Sequence, residues 1–286
     1  MQWSSVCQSS YGAVLLVLCS ELSTTASASL AKSMFALLPP ESVTALRLGC
    51  SALVLCFIFR PWRSGLPRHA WRSTALYGLA LGCMNLLFYM AIQRVPLGVA
   101  VGIEIMGPLS VAVFTSRRWV DFVWIGLAVC GLSLLLPLGH FTAAIDPVGV
   151  CFAAGAGSCW ALYIVFGKKA SGSSGPASVC IGMLGGAALV FPLGLHAGGM
   201  ALFAPHALAL GFFLGIISSA LPCGLEMYAL SRMPARTFGT LMSLSPALAA
   251  LSGFLFLGET LGGVQWVGLL LIVAASMGTS ASSKAG

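Results

Sequence analysis

The amino-acid sequence predicts an all-α integral membrane protein with ten transmembrane helices, arranged as two inverted five-helix repeats. Composition predicts the membrane class. Charged residues make up 7% of the 286 residues and apolar residues 58%, and the mean hydropathy is +0.98. A soluble domain carries roughly 25% charged residues. So few charges could not cover the surface of a soluble protein of this length, so most of that surface must face lipid.

Ten apolar runs are long enough to be transmembrane helices, because about 20 predominantly apolar residues span a bilayer. The connections between them are short, and the segment KKASGSSGP at 168–176 has the composition of a turn. The first run lacks a preceding basic segment and a clear cleavage site, so we expect it to be retained as a helix. The ten predicted spans are 12–31, 42–59, 73–92, 97–115, 120–138, 147–167, 176–195, 207–230, 235–256 and 262–280.

The two halves of the chain share a weak pattern of prolines and charges at a spacing of 138 residues. The pattern predicts two units, 12–138 and 147–280, with five helices each. Five is an odd number, so the second unit must have the opposite orientation in the membrane. Inverted repeats are typical of secondary transporters, whose substrate site lies near the bilayer midplane between the repeats. The matching pairs are Ala91 and Ala229, Arg94 and Arg232, Pro96 and Pro234, Pro108 and Pro246, and Asp121 and Glu259.

The distribution of basic residues predicts the orientation of the chain. If the N-terminus is cytoplasmic, the inside loops and the C-terminal tail hold eleven Lys and Arg residues, and the outside loops hold only Lys32 and Arg94. Arg47 lies within a predicted helix. Because cytoplasmic loops carry the excess of positive charge, we expect both termini to be cytoplasmic.

Several functional classes are disfavoured by the sequence. The ten cysteines are scattered and the four histidines share no metal-ligand spacing, so no metal or other cofactor is predicted. No phosphate-binding loop is present, which disfavours an ATP-driven pump. The net charge of +7 is spread over single and paired residues, so nucleic acid is not a predicted partner. A GxxxG face at Gly98 and Gly102 could pack within one chain or between two, so a monomer and a homodimer both remain open.

Two long segments carry a resemblance to a known family. They are MNLLFYMAIQRVPLGVAV at 84–101, continued by GPLSVAVFTSRRWVDFVW at 107–124, and ALPCGLEMYALSRMPARTFGTLMSLSPALAALSG at 220–253, followed by FLGET. With the shorter TALRLG, FRPWR and GAGSCWALYI, they resemble the threonine/homoserine exporters of the EamA-type drug/metabolite transporter superfamily. The likeness extends over nearly the whole chain from about residue 28.

The resemblance implies a ten-helix exporter of small amino acids in the bacterial inner membrane, driven by the proton gradient. Its expected partners are therefore an amino-acid substrate, protons and the lipid bilayer. Relatives often carry an acid before the proline where this chain has Ser245. That departure leaves a drug or metabolite exporter with another substrate as an alternative. Glu21 precedes the part of the chain that the resemblance covers.

Arg47 and Glu104 are the first candidates for the substrate site. An ionisable group inside the bilayer costs at least about 2.5–3.5 kcal/mol and normally faces a cavity or a partner. Both residues lie a few residues inside spans that begin on the outer side, so their predicted depths are equal. Arg47 would bind the carboxylate of an amino acid, and Glu104 would receive its ammonium group or exchange a proton. The alternative is a structural ion pair between two helices.

Glu21 and Glu226 are further candidates for proton coupling. Glu21 lies near mid-membrane on a hydroxyl-rich segment that either lines a water-filled path or bonds to neighbouring helices. Glu226 follows Pro222 by one turn, and that proline would leave the carbonyl of Ser218 without its helical hydrogen bond. Glu226 could instead reach the interface or pair with a basic residue of the following loop, Arg232 or Arg236.

Aromatic and amide groups extend the list of candidate substrate-binding residues. Asn85 and Tyr89 share one face of the third span, and Trp160 and Tyr163 lie late in the sixth. These side chains would line a cavity, although aromatic residues near helix ends are also common interface anchors.

Three prolines are candidates for helix breaks that take part in gating. Pro108, Pro222 and Pro246 interrupt spans of the two halves, and discontinuous helices at a repeat interface commonly border transporter sites. Two other classes remain as rivals: a membrane-embedded enzyme acting on lipid, which would need catalytic groups clustered at one interface, and a passive channel.

Overall fold

The computed structural model describes residues 10–64, 70–115, 119–135, 146–222, 225, 241 and 244–282. All elements of this part of the chain are helical, which confirms the predicted all-α membrane class. Glu226 and its possible partners Arg232 and Arg236 lie outside the described residues, as do parts of the eighth and ninth predicted spans.

The helices follow the order of the predicted spans. Within the described residues, five helices are long and apolar enough to cross a membrane, and five more apolar helices are shorter, at 10–17 residues. We number them α1 Ser10–Ser33, α2 Pro40–Phe59, α3 Pro61–Ser64, α4 Trp71–Arg94, α5 Leu97–Glu104, α6 Met106–Thr115, α7 Trp119–Leu135, α8 Pro147–Gly198, α9 Pro205–Gly215, α10 Ser245–Leu257 and α11 Gly263–Ser282. Short 3-10 segments lie at Met34–Ala36 and Gly199–Phe203, and a π-helical turn at Ile216–Ala220 continues α9.

Proline and a capping acid determine where several helices begin. Pro40, Pro147 and Pro205 occupy the first turn of their helices, where a missing N–H costs nothing. At α8, Asp146 Oδ1 also accepts a hydrogen bond of 2.9 Å from the N–H of Val148.

Asp146 also forms an ion pair with Arg94, the last residue of α4. Arg94 Nη1 lies 2.8 Å from Asp146 Oδ2. The hydrogen bonds from Arg94 and from the N–H of Val148 hold the pKa of Asp146 below its usual range. A lowered pKa means that this interaction is present at neutral pH and is lost only when the pH falls through that lowered value. The contact therefore persists at physiological pH.

α8 contains two limbs that run in opposite directions. The first limb is Pro147–Gly167, and the second is Ala177–Phe203, which continues past the end of α8 through the 3-10 segment Gly199–Phe203. A Cβ on Gly167 would lie 3.2 Å from the ring of Tyr77, and a Cβ on Gly182 would also meet that ring. One side chain of α4 thus touches residues 15 positions apart, so the chain must reverse between the limbs. The two predicted spans 147–167 and 176–195 correspond to these limbs.

Glycines allow α4 and the second limb of α8 to approach backbone to backbone. Gly78 and Gly82 on α4 face Gly182 and Gly186 on α8. A Cβ on Gly186 would lie 2.8 Å from the carbonyl oxygen of Gly78 and 3.1 Å from the nitrogen of Gly82. Small residues at such spacing are the usual means of close helix packing in membranes. The sequence analysis identified the Gly98 face but not these two pairs.

Helices of the first half pack against helices of the second half. Gly98 on α5 lies against Ala250 on α10, where a Cβ would come within 2.7 Å of the alanine Cβ. The hydroxyl of Ser252 on α10 lies 3.0 Å from that of Thr25 on α1. α1 and α5 therefore contact the same helix, and a cavity lies between them.

The glycine contact predicts a difference between two neighbouring substitutions. In Gly186→Ala the new methyl group would meet backbone atoms of α4, and overpacking of this kind costs about 1–3 kcal/mol. Gly185→Ala is the matched control, because a Cβ on Gly185 meets nothing within 4 Å. We expect thermal unfolding in detergent to shift to lower temperature only for Gly186→Ala. Equal midpoints for the two variants would contradict the close approach.

Candidate functional site

A cavity of about 190 Å³ lies between α1, α2, α4, α5, α8 and α10. Its charged lining residues are Arg47 and Glu104, the sequence-predicted pair. Its other polar lining residues are Thr24, Thr25, Ser27, Asn85 and Ser245. Met84, Phe88, Leu97 and Val101 contribute apolar surface, and Tyr89 and Trp160 contribute aromatic rings.

Arg47 is buried and bonded to helices on two sides. Its Nη1 donates to Ser218 Oγ over 3.1 Å, and its Nη2 donates to Asn85 Oδ1. Its guanidinium carbon lies 4.9 Å from the centre of the Tyr89 ring, within the range of a cation–π contact. The Nε atom is buried and has no hydrogen-bond partner among the described residues. Arg47 is therefore held in place while its Nε–H is still to be satisfied.

Asn85 and Tyr89 lie one turn apart on α4 and present one surface to Arg47. Asn85 Nδ2 donates to the carbonyl of Leu81 over 2.8 Å, which directs the other amide atom, Oδ1, towards the guanidinium. Tyr89 is fully buried and also packs against Phe35, with ring centroids 5.9 Å apart. The predicted shared face of these two residues thus borders the cavity.

Glu104 lies at the C-terminal end of α5, at a break in the helix. Ile105 separates α5 from α6. Pro108 has no N–H to donate to the carbonyl of Glu104, four residues earlier, which accounts for an interruption at this place. Gly157 of α8 approaches that carbonyl so closely that a Cβ would lie 2.7 Å from its oxygen. The break and the glycine together place the Glu104 side chain in the cavity wall.

Arg47 and Glu104 share the cavity but do not form a direct ion pair. The ion pairs within 4.0 Å between described residues are Lys32–Glu259 and Arg94–Asp146. Both cavity groups are nevertheless only 7% exposed. In this conformation, Arg47 and Glu104 therefore do not make the direct ion pair that the alternative interpretation, a structural link between two helices, requires.

The α1 hydroxyl groups face the cavity with their donors already used. Thr24 Oγ1 donates to the carbonyl of Ser20 over 3.0 Å, and Ser27 Oγ donates to the carbonyl of Thr24 over 2.7 Å. Their oxygens remain available as acceptors. Ser23 instead donates to the carbonyl of Ile217 on the second half, over 2.7 Å. The hydroxyl-rich face therefore both lines the cavity and bonds to a neighbouring helix.

Glu21 is buried beneath this face and contacts α10. The Oγ of Ser245 donates a hydrogen bond to Glu21 Oε2. Ser245 is the first residue of α10, directly before Pro246, and it lines the cavity. Ser245, where the sequence departs from the family pattern, is therefore hydrogen-bonded to Glu21, which lies outside the part of the chain that the resemblance covers.

The remaining candidates occupy different places. Trp160 lines the cavity, whereas Tyr163 is not among the lining residues and packs against Tyr77, with ring centroids 4.9 Å apart. Pro222 is buried and follows the π-helical turn. Glu226 lies outside the described residues.

The π-helical turn at Ile216–Ala220 brings Ser218 to Arg47. A π-turn is rare and often marks a functional position. The adjoining carbonyls of Gly215 and Ile217 accept hydrogen bonds from Ser51 and Ser23, at 3.1 and 2.7 Å. The sequence indicated a disturbed helix here through Pro222, but it gave no sign that the Ser218 hydroxyl would bind Arg47. That contact links residues 171 positions apart.

In the described part of the chain, a helical membrane fold surrounds a small cavity that holds a buried arginine and a buried glutamate, as is typical of a multi-pass membrane transporter. Comparison with known proteins identifies the family. The EamA-like transporter family matches residues 147–281. The chain is 50% identical over 267 residues to "Threonine/homoserine exporter RhtA" of Salmonella typhimurium (strain LT2), and equally to that of Escherichia coli (strain K12), covering 93% of this chain and 90% of each relative. The chain therefore belongs to the threonine/homoserine exporter family of EamA-type transporters.

The solved structures support the same fold. One chain, described as "Crystal structure of protein", superimposes with a TM-score of 0.59 at 20% sequence identity, covering 94% of this chain and 97% of that chain. Its identity is too low to carry more than the fold. With the named relatives, these comparisons assign a transporter of the bacterial inner membrane rather than an enzyme.

The Arg47–Asn85 contact predicts non-additive effects on stability. Asn85→Leu removes the acceptor of a buried guanidinium, and leaving such a donor unsatisfied costs about 1–3 kcal/mol. In an Arg47→Met background the same substitution should cost much less, because no guanidinium remains. Unfolding of the four proteins in detergent measures the difference. Asn85→Asp is the control that keeps an acceptor, and strictly additive effects would show that the contact is unimportant.

Proposed function

We propose that this protein exports threonine, homoserine and similar small amino acids from the cytoplasm by proton antiport and alternating access. The observation that carries the proposal is the distribution of donors and acceptors in the cavity. Arg47 offers an unsatisfied N–H at one side, while Glu104 and the hydroxyl oxygens of Thr24 and Ser27 offer acceptors. An amino-acid zwitterion needs both kinds of group.

The size of the cavity supports a small substrate. Pockets for drug-sized ligands measure about 300–1,000 Å³, whereas this cavity measures about 190 Å³. The named relatives at 50% identity are exporters of threonine and homoserine. Both observations favour an amino acid over the alternative of a larger drug or metabolite.

Each charge of the substrate has a proposed partner. The carboxylate binds the guanidinium of Arg47, whose position is set by Asn85, Ser218 and the ring of Tyr89. The ammonium group binds Glu104 and hydroxyl oxygens of α1. Burying an ion away from water is costly unless an opposite charge and hydrogen bonds compensate it. A ligand with only one of the two charges would leave either Arg47 or Glu104 uncompensated.

The position of the cavity between the two halves supports alternating access. Its walls include α1, α2, α4 and α5 from 12–138, and Trp160 and Ser245 from 147–280. If these units are inverted repeats, the cavity lies where such transporters bind their substrates. The positive-inside distribution supports cytoplasmic termini, and the breaks near Pro108, Pro222 and Pro246 are the proposed points of bending.

Proton coupling is assigned first to Glu104. In the cytoplasm-facing state its carboxylate binds the ammonium group of the substrate. In the outward-facing state a proton from outside binds Glu104 and displaces that ammonium group. The protonated protein returns and releases the proton inside. Glu21, with its Ser245 contact, is a second proposed coupling group, and Glu226 is a third.

Transport by purified protein in liposomes tests the proposal. An acid-inside pH gradient should drive accumulation of labelled threonine or homoserine by the wild type, and a protonophore should abolish it. Glu104→Gln should lose this accumulation but retain exchange of labelled for unlabelled substrate at higher substrate concentration, because the amide oxygen and the α1 hydroxyl oxygens still accept from the ammonium group and exchange needs no net proton movement. Glu41→Gln is the matched control, since Glu41 lies at the start of α2 and is not a lining residue of the cavity.

Three results would contradict parts of the proposal. Absence of accumulation of either amino acid by wild-type protein would exclude the substrates. Equilibration that ignores the gradient would indicate a passive channel. Wild-type accumulation by Glu104→Gln would remove Glu104 from proton coupling and leave Glu21 and Glu226 as the candidates.

A further inference from the structure

A second charged cluster lies at one end of the cavity, apart from the groups assigned to the substrate. Lys32 Nζ is 2.5 Å from Glu259 Oε1. Lys32 is in the last turn of α1, and Glu259 lies in the connection between α10 and α11. The ion pair therefore joins the first half of the chain to the second.

The two side chains also hold the start of α5. Lys32 Nζ donates to the carbonyl of Val95 over 2.9 Å, and the N–H of Leu97 donates to Glu259 Oε2 over 2.7 Å. Leu97 is the first residue of α5, so a distant carboxylate satisfies an N–H that has no partner within the helix. Four segments of chain meet at this cluster: the end of α1, the α4–α5 connection, the start of α5 and the α10–α11 connection.

Backbone geometry directs Glu259 back into the bundle. Gly258 ends α10 with φ of 66°, a left-handed conformation that suits glycine. The N–H of Glu259 then bonds to the carbonyl of Gly253 over 3.1 Å. The carboxylate consequently lies against α10, and a Cβ on Gly253 would come within 2.5 Å of Glu259 Oε2.

The cluster adjoins the cavity directly. Leu97 lines the cavity with its side chain while its N–H binds Glu259. Lys32 is four residues after the cavity-lining Ala28, which is about 6 Å along a helix. By the proposed orientation this is the outer end, since α1 starts on the cytoplasmic side. Lys32 and Glu259 thus lie one turn outside the substrate site.

We infer that Lys32 and Glu259 form the outer gate of the transport route, the contact that must separate before substrate leaves the cell. This inference rests on the proposed export function and on the proposed orientation. The ion pair joins the two halves across the end of the cavity, so it keeps that end closed while it is formed. Movement of one half against the other would break it.

The exposure of the pair is compatible with repeated opening. The side chains of Lys32 and Glu259 are 20% and 15% exposed. Partly exposed side chains can be hydrated when the ion pair separates, whereas separation of a fully buried pair would leave two uncompensated charges inside the protein. Opening also releases the N–H of Leu97, and α5 extends from that residue to Glu104. The gate is therefore linked by one two-turn helix to the proposed proton-coupling carboxylate.

Thiol labelling from outside tests the gate without using any substrate. A Thr24→Cys reporter in the cavity is treated in intact cells with a membrane-impermeant thiol reagent, and labelling of the same protein without the reporter is subtracted. With Lys32 and Glu259 present, labelling should be slow. Adding Lys32→Ala or Glu259→Ala should accelerate it severalfold, because the outer end opens. In inside-out vesicles the same variants should label more slowly than the reporter alone.

Matched variants separate gating from general loss of structure. Lys32→Arg keeps the charge and the donors and should keep outside labelling slow. Asp146→Asn removes the charge of Asp146 from its ion pair with Arg94, which is more exposed, and should also leave labelling slow. Unchanged outside labelling in Lys32→Ala, equal acceleration by Asp146→Asn, or faster labelling from both sides would overturn the gate. Failure of threonine transport would leave this result unaffected, so the two proposals fail separately.

Discussion

The buried charge of Arg47 is the constraint on which the centre of this protein depends. A guanidinium inside a bilayer must be compensated by polar groups, and the chain supplies them from different helices. Asn85 comes from α4, Ser218 from the π-turn after α9, and the Tyr89 ring from α4. Because these groups surround Arg47 on several sides, the helices that carry them cannot pack as a simple apolar bundle. The result is a cavity with a few polar groups in a mainly apolar wall.

Departures from regular helix geometry make that arrangement possible. The break at Ile105 ends α5 at Glu104, and the π-turn brings Ser218 towards α2. In a membrane, backbone groups released by such breaks must find partners within the protein. Hydroxyl groups of Ser23 and Ser51 fill this role at Ile217 and Gly215. Small polar residues, which are common in this chain, thus stabilise its irregular positions.

The sequence predicted the membrane class and the order of the ten spans because hydropathy reports directly on burial in lipid. It also indicated Arg47 and Glu104 as candidate site residues, because charges are rare in apolar runs, and both side chains line the cavity. The partners of those charges were not predictable. Ser218 is one of many serines, and its contact with Arg47 depends on tertiary packing between distant segments.

The limits of a linear pattern also appear at Trp160 and Tyr163. The two residues are three positions apart on α8, and only the first lines the cavity. Choosing between them requires knowledge of which face of α8 is turned towards the cavity. The sequence of α8 has no clear polar stripe, so that face could not be predicted. In the sequence analysis, Lys32 contributed only to the predicted orientation, and Glu259 only to the repeat pattern. Their contact at 2.5 Å arises from the fold.

The hairpin of α8 divides the cavity wall into two kinds of surface. Gly78 and Gly82 interlock with Gly182 and Gly186, so α4 and the second limb of α8 pack backbone to backbone. Asn85 and Tyr89 lie on the α4 side of that seam, and Trp160 lies on the first limb of α8. Among the described residues, the opposite wall, formed by the α1 hydroxyl groups and the start of α10, makes no glycine contact with that seam. A zwitterion bound as proposed would have its carboxylate beside this closely packed seam, through Arg47 and its partners Asn85 and Tyr89.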